Sequence, residues 1–200
     1  MIELKPEAMV GKGQHRECYV HPDNPNRCIK VVVLRGEEET RREQAYYKFL
    51  QKRQITWEML PQFYGVELTS IGPGAIFDLV RDANGKVGKT LAHYFESTGL
   101  TEQNYTGLLA SLQALKAYLF RQNIITMTIM PKNIVYQRQD NEVGTAVIVD
   151  SIGNSDPIPL ASYCRAFGQV KMKRKWGKFV KLLHSDYPHN PALQQLVTQL

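Results

Sequence analysis

Asn133 and Asp150 stand at the ends of two short apolar runs within residues 124–153. The stretch reads I-I-T-M-T-I-M-P-K-N-I-V-Y, then a polar turn, then T-A-V-I-V-D-S-I-G. The pattern predicts two strands. Asn133 opens the first after a proline-containing loop, and Asp150 closes the second, with Gly153 just beyond. Two strands that each deliver one oxygen ligand to a common point suit a divalent metal on a phosphate chain. The same residues also suit a plain β-hairpin with polar ends, where Asn and Asp are common.

Three upstream features bear on the choice. Gly11 and Gly13 lie two apart in the β-compatible run M-V-G-K-G-Q-H-R-E-C-Y-V. Glycines so spaced permit a tight bend and let backbone N–H groups approach a phosphate; a simple hairpin turn is the alternative. No helix follows them, which argues against a Rossmann or Walker A loop. Lys30 is embedded in the apolar run of residues 28–34. It either faces solvent from an edge strand or points into a cleft, and buried lysines are rare. Glu43 lies in a helix predicted over residues 36–54, which starts with Glu37, Glu38 and Glu39 at the positive end of its dipole. Its alternative is an exposed position paired with Arg42 or Lys48.

The elements that must position these residues read as follows. Strand, turn and strand run from Cys18 to Leu34 through H-P-D-N-P-N. Residues 62–69 alternate like a half-buried strand, and residues 74–81 form another after an I-G-P-G turn. Asn84-Gly85 marks a hairpin-type turn. A short helix is expected over residues 90–96 and a long one from Thr101. In the latter Tyr105, Leu108, Leu109, Leu112, Leu115 and Leu119 recur at helical spacing. Residues 160–183 read as one or two helices anchored by Trp176, Phe179, Val180 and Leu183. Pro188 and Pro191 end that region, and a last helix covers residues 192–200. The class is α+β.

Composition sets bounds. The chain has 200 residues, 43% hydrophobic and 22% charged, enough for an ordinary core without staples. Cys18, Cys28 and Cys164 show no metal-type spacing and read as free packing thiols of a reducing compartment. The charged start M-I-E-L-K-P-E is unlike a signal peptide, and no run is long enough to span a bilayer, so a cytoplasmic location is expected. Net charge is +6. Lys171, Lys173, Arg174, Lys175, Lys178 and Lys181 form a local basic patch without an acid. It suits an anionic partner, nucleic acid or membrane surface, or else is a solvated helix face.

The order of parts resembles the protein-kinase-like fold: glycine hairpin, strand lysine, helix glutamate, two strands and a linker, long helix, loop Asn, strand Asp. More closely, the chain resembles the YrbL-like PhoP regulatory network family of bacteria. The resemblance rests on G-K-G-x-x-R-E-C-Y, C-I-K, R-R-E-x-x-Y-Y, I-x-T-M-T-x-x-P-K-N-I and V-x-D-S-I-G, in that order. It implies two lobes within one kinase-like domain, an N-terminal lobe of residues 1–82 with an antiparallel sheet and a reduced helical lobe of residues 83–200. It implies ATP and Mg²⁺ in the cleft between them. Gly11 and Gly13 would cover the phosphates, Lys30 would pair with the α/β-phosphates and be oriented by Glu43, and Asn133 and Asp150 would hold Mg²⁺. Ile76, Phe77 and Asp78 would lead to the hinge beside the adenine.

Departures from the kinase pattern shape the functional expectation. The His-Arg-Asp triplet of kinases reads Thr126-Met127-Thr128 here. Thr128 therefore takes the base position, and its hydroxyl cannot serve as a base at neutral pH. The lysine usually found two residues after the base is Met130, although Lys132 is near. Asp-Phe-Gly has become Asp150-Ser151-Ile152-Gly153, and no Ala-Pro-Glu segment follows. One expectation is an atypical phosphotransferase using Lys30 and Asp150 on a small-molecule or protein substrate. Another is a catalytically silent pseudokinase acting as a regulatory binding partner. A third is a binder of nucleic acid or an anionic surface through the basic helix.

Overall fold

A computed structural model describes residues 1–35, 37–139, 143–156 and 158–200. Gly36, placed by the sequence at the head of a helix, lies outside the described residues. So do residues 140–142 of the polar turn and Pro157 of the loop after Gly153.

Five strands form one antiparallel sheet: β1 (Met9–Lys12), β2 (Arg16–His21), β3 (Asn24–Val32), β4 (Phe63–Thr69) and β5 (Gly72–Asp78), in the order β1-β2-β3-β5-β4. β3 is the middle strand, and its period-two alternation sorts the side chains. Ile29 and Val31 join Leu4, Tyr19 and Ile76 in a small cluster on one face. Cys28 and Lys30 face the other way, into a cleft. Lys30 pairs in register with Cys18 on β2 and Ala75 on β5. Helix α1 (Glu37–Lys52) carries its three acids in the first turn and buries Glu43, Tyr46, Tyr47 and Leu50.

The second half is mostly helical: α2 (Leu91–Phe95), α3 (Thr98–Gln103), α4 (Tyr105–Gln122), α5 (Leu160–Tyr163), α6 (Arg165–Asp186) and α7 (Pro191–Val197). A small antiparallel sheet joins β6 (Lys89–Thr90), β7 (Ile134–Gln137) and β8 (Thr145–Ile148). The main hydrophobic cluster is shared by both halves, from Cys28 and Phe77 to Leu112, Trp176 and Leu196. The linker after β5 is tied to β7 by buried Asp82, which accepts from the backbone and guanidinium of Arg138, both at 3.0 Å. Asn84-Gly85 does make a turn there, with Gly85 at φ 78°.

The long helix expected from Thr101 is two helices broken at Asn104, whose side chain folds back on the Leu100 carbonyl at 2.8 Å. α4 then buries Leu108, Leu112, Leu115 and Leu119 as their spacing requires. It ends at Asn123 in the left-handed conformation, φ 47°. Pro191 does not merely end a helix: it opens α7, capped by Asn190.

α6 runs close beside the end of α4. A Cβ on Gly168 would lie 1.9 Å from Asn123 Oδ1 and 2.7 Å from the Ala161 carbonyl oxygen. Gly168→Ala is expected to lose about 1–3 kcal/mol of stability by overpacking. Urea unfolding checks this, and an unchanged midpoint would contradict the close approach.

Candidate functional site

A cleft of about 600 Å³ opens between the five-stranded sheet and the helical half. It is within the usual range for a small-molecule site. Gly11, Gly13, Arg16 and Cys18 line it from β1, β2 and the turn between them, and Cys28 and Lys30 from β3. Asp78, Leu79 and Val80 line it from the end of β5 and the linker, and Thr128, Lys132, Asn133 and Asp150 from the two loops of the helical half.

Lys30 points into the cleft and is 8% exposed. Its ammonium donates to the carbonyl of Val149, the residue before Asp150, and sits 4.6 Å from the Phe77 ring centroid. A carbonyl acceptor and an aromatic face thus hold it, with further donors of the ammonium left for the cleft. Glu43 is not its partner. Glu43 is 1% exposed and receives Nη1 of Arg16, while Nη2 of Arg16 reaches Oδ1 of Asp150. Glu43 also accepts the Ile152 N–H at 3.4 Å. The exposed-helix alternative for Glu43, with Arg42 or Lys48, does not occur; Arg42 pairs with Glu38. Burial pulls the Arg16 pKa down, but the charges of Glu43 and Asp150 outweigh it and hold the guanidinium above its ordinary value.

The loops carrying Asn133 and Asp150 are locked together. Val149 N–H donates to the Asn133 carbonyl at 2.9 Å, and Met127 N–H donates to the Ser151 carbonyl at 2.8 Å. Gly153 N–H reaches the Ile125 carbonyl at 3.0 Å, and the Tyr46 hydroxyl accepts the Ile125 N–H at 2.8 Å. Burial pushes the Tyr46 hydroxyl up to about 12, so it stays neutral. Ser151 and Gly153 take positive φ, 64° and 145°, which turns the chain sharply after Asp150.

Asn133 donates Nδ2 to the Ser151 hydroxyl at 3.0 Å, which leaves its amide oxygen for the cleft. Asp150 Oδ1 takes Arg16 and the Ser151 N–H at 2.5 Å, and no hydrogen bond occupies Oδ2 among the described residues. Two hard oxygens lining one cleft from two linked loops are of the donor type a Mg²⁺-type ion takes, with phosphate and water as its further ligands. Among the described residues no group of three or more His, Cys, Asp or Glu is arranged to hold a metal by protein ligands alone.

The remaining positions singled out from the sequence divide. Neither Gly11 nor Gly13 has positive φ, and an added Cβ would meet ordinary contacts at 3.7 and 3.4 Å. Their value is a low loop over the cleft, with Gly13 N–H closing on the Arg16 carbonyl at 2.8 Å. Ile76 does not line the cleft, because strand alternation turns it to the opposite face. Phe77 lies beneath Lys30, and Asp78 reaches the rim with Oδ1 and Oδ2 held by Tyr64 and the Gln62 N–H. Thr128 is exposed within the cleft. Of the cysteines, Cys164 is exposed rather than packed, while Cys18 and Cys28 meet on the cleft wall. The hydrogen bond with Cys18, together with burial, pushes the Cys28 thiol up.

The basic patch is also revised. Lys171 is buried and bonds Asp156 at 2.7 Å, and Lys175 donates to the Met127 carbonyl behind the base position. Burial and the neighbouring Lys171 lower the Lys175 pKa. Lys173, Arg174, Lys178 and Lys181 remain exposed on α6. Arg16 is the residue that sequence reasoning missed. Its signal was present: it stands three after Gly13, where a G-x-G-x-x-G phosphate loop has its third glycine.

A family model described as PhoP regulatory network protein YrbL matches residues 2–184. The protein of Escherichia coli (strain K12) described as "Uncharacterized protein YrbL" is 36% identical over 183 residues, covering 90% of this chain and 87% of that one. A Shigella flexneri protein of the same description matches with the same identity and coverage.

Proposed function

The chain belongs to the PhoP regulatory network protein YrbL family, and from that premise and the cleft geometry we propose that it binds ATP with Mg²⁺ in a protein-kinase-like arrangement. The lobes are residues 1–82 and 83–200. The observation that carries the reading is the convergence of Lys30, Asn133 and Asp150, from three distant segments, on one cleft roofed by Gly11 and Gly13.

The division of labour follows from the residues. Lys30 is placed to neutralise phosphate oxygens, and the linker at Asp78 and Leu79 to border the base. The free oxygens of Asn133 and Asp150 are suited to hold the metal, which when bound supplies charge neutralisation on the phosphates. Loss of a base at Thr128 does not by itself abolish transfer, since general-base assistance is worth roughly 10²–10⁴-fold and the transition state is loose. We therefore favour an atypical phosphotransferase acting on a small molecule or protein.

A second reading is favoured by Thr128 and by Arg16 on Asp150: a nucleotide-binding regulatory protein without catalysis. The surface reading is weaker, because Lys171 and Lys175 are committed to internal partners.

Thermal shift tests the pocket. At about a hundred times Kd, ATP with Mg²⁺ is expected to raise Tm by about 5–10 °C, and Lys30→Ala to remove most of the rise. No rise in the wild type sinks the reading. Labelled γ-phosphate transfer that vanishes in Asp150→Ala separates the enzyme from the regulatory protein.

A further inference from the structure

We infer that Arg16 is an internal counter-ion that competes with a divalent cation for Asp150. The inference rests on the nucleotide–metal reading for where the guanidinium goes next, but not for the competition itself.

The geometry is specific. Arg16 is the first residue of β2, opposite Val32. Its side chain is 17% exposed and spans from Glu43 on α1 to Asp150 at the end of the β8 segment. Each nitrogen of the fork takes a different carboxylate. Glu43 is 1% exposed on α1 and accepts a second hydrogen bond from the Ile152 N–H, so it is the more firmly held of the two acids. Asp150 is 31% exposed and faces the cleft. The arrangement therefore has one fixed end at Glu43 and one exchangeable end at Asp150.

A cation brought to Oδ2 of Asp150 meets a guanidinium already bound to Oδ1. Two positive groups on one carboxylate repel, and two protein oxygens repay little of the dehydration a Mg²⁺-type ion requires. Metal alone is thus held weakly. Phosphate oxygens change the balance. They offer the ion further ligands and offer Nη2 of Arg16 a new charged acceptor, which a planar fork suits. Nη1 remains on Glu43 throughout. Metal and polyphosphate then bind as a pair, each improving the affinity for the other.

Lys30 does not provide this coupling. It is held on the Val149 carbonyl and contacts neither carboxylate. A glycine at position 16 would supply no cation at all, so the departure from G-x-G-x-x-G is the source of the device.

The test uses Mn²⁺ alone, read by electron paramagnetic resonance, on the full chain. Arg16→Gln leaves buried Glu43 uncompensated, so the double variant Arg16→Gln/Glu43→Gln serves as the balanced partner, its folding checked by circular dichroism. The double variant is expected to bind Mn²⁺ roughly tenfold more tightly than the wild type, the ordinary scale of coupling between sites. Adding Asp150→Asn is expected to erase the gain. Equal or weaker Mn²⁺ binding in the double variant overturns the inference, as does a gain that survives Asp150→Asn. Because this titration contains no nucleotide, failure of ATP to bind would defeat the nucleotide reading and leave the competition for Asp150 separately judged.

Discussion

Glu43→Ala is expected to destabilise the fold by about 3 kcal/mol, the low end of the 3–5 kcal/mol lost when one partner of a buried ion pair is removed. Glu43 is 1% exposed, and both carboxylate oxygens are used. Alanine strips Arg16 of its fixed partner and leaves the buried Ile152 N–H without its acceptor. Arg16 keeps Asp150 and some access to water, which places the loss at the low end. For a chain of this size the melting temperature should fall by about 6–12 °C. In urea the midpoint should drop with the slope unchanged, the mark of a stability effect. Glu43→Gln keeps the shape and an oxygen for Ile152, so it should cost less. A fully stable Glu43→Ala would mean that the Arg16 bridge carries no weight. The loop after Asp150 hangs on this residue, so Glu43→Ala should also blur the site. α1 holds the two loops by one contact each, the Glu43 carboxylate at Ile152 after Asp150 and the Tyr46 hydroxyl at Ile125 after α4.

Why Glu43 was legible in part follows from what pattern carries. Helix α1, the five strands and the leucines of α4 were readable because each depends on local periodicity, and local periodicity sorts buried faces from exposed ones. Lys30 was readable as a candidate because a lysine in an apolar strand demands an explanation. Partners are another matter. Glu43 and Arg16 are 27 positions apart, and Arg16 and Asp150 are 134 apart. Nothing in either neighbourhood states which cation crosses to which acid. Lys30 and Arg16 both lie on the cleft side of the sheet, and only the fold decides that Arg16 takes the acids. The break at Asn104 was hidden by the spacing itself. Apolar spacing runs on into α4, while the break at Asn104 is closed by its own side chain on the Leu100 carbonyl, and α3 is tied elsewhere by Thr101 to the Tyr94 carbonyl and by Asn190 to Thr101, both at 2.8 Å. Lys171 and Lys175 misled because a count of charges has no direction. Two of the patch turn inward to brace the loops they pack against. Ile76 failed as a hinge residue by one step of strand alternation, since Phe77 and Ile76 face opposite sides.

Thr128→Asp is expected to raise metal-dependent loss of the γ-phosphate from ATP by roughly 10²–10⁴-fold, the contribution a positioned base makes. The position is ready to receive one. Thr128 is exposed and lines the cleft, so a new carboxylate would remain in contact with water rather than being buried. The segment just before it is held: Met127 by the Ser151 carbonyl and by Lys175, and Thr126 by its bridge to Ile152. The backbone that would carry the base is therefore fixed relative to Asp150, and positioning is what proton transfer needs first. Lys132, exposed in the same cleft, can offset the added charge near the phosphates. A phosphotransferase that lacks only its base should respond. A protein shaped for regulation, with Arg16 drawn across Asp150, should bind ATP and stay silent. The rate should be measured with saturating ATP and Mg²⁺ in wild type, Thr128→Asp and Thr128→Asp/Asp150→Ala. A gain abolished by the second substitution assigns the chemistry to this cleft. Unchanged turnover in Thr128→Asp, with nucleotide binding intact and no Asp150-dependent turnover in the wild type, would end the phosphotransferase reading and leave the chain as a nucleotide-responsive binding protein.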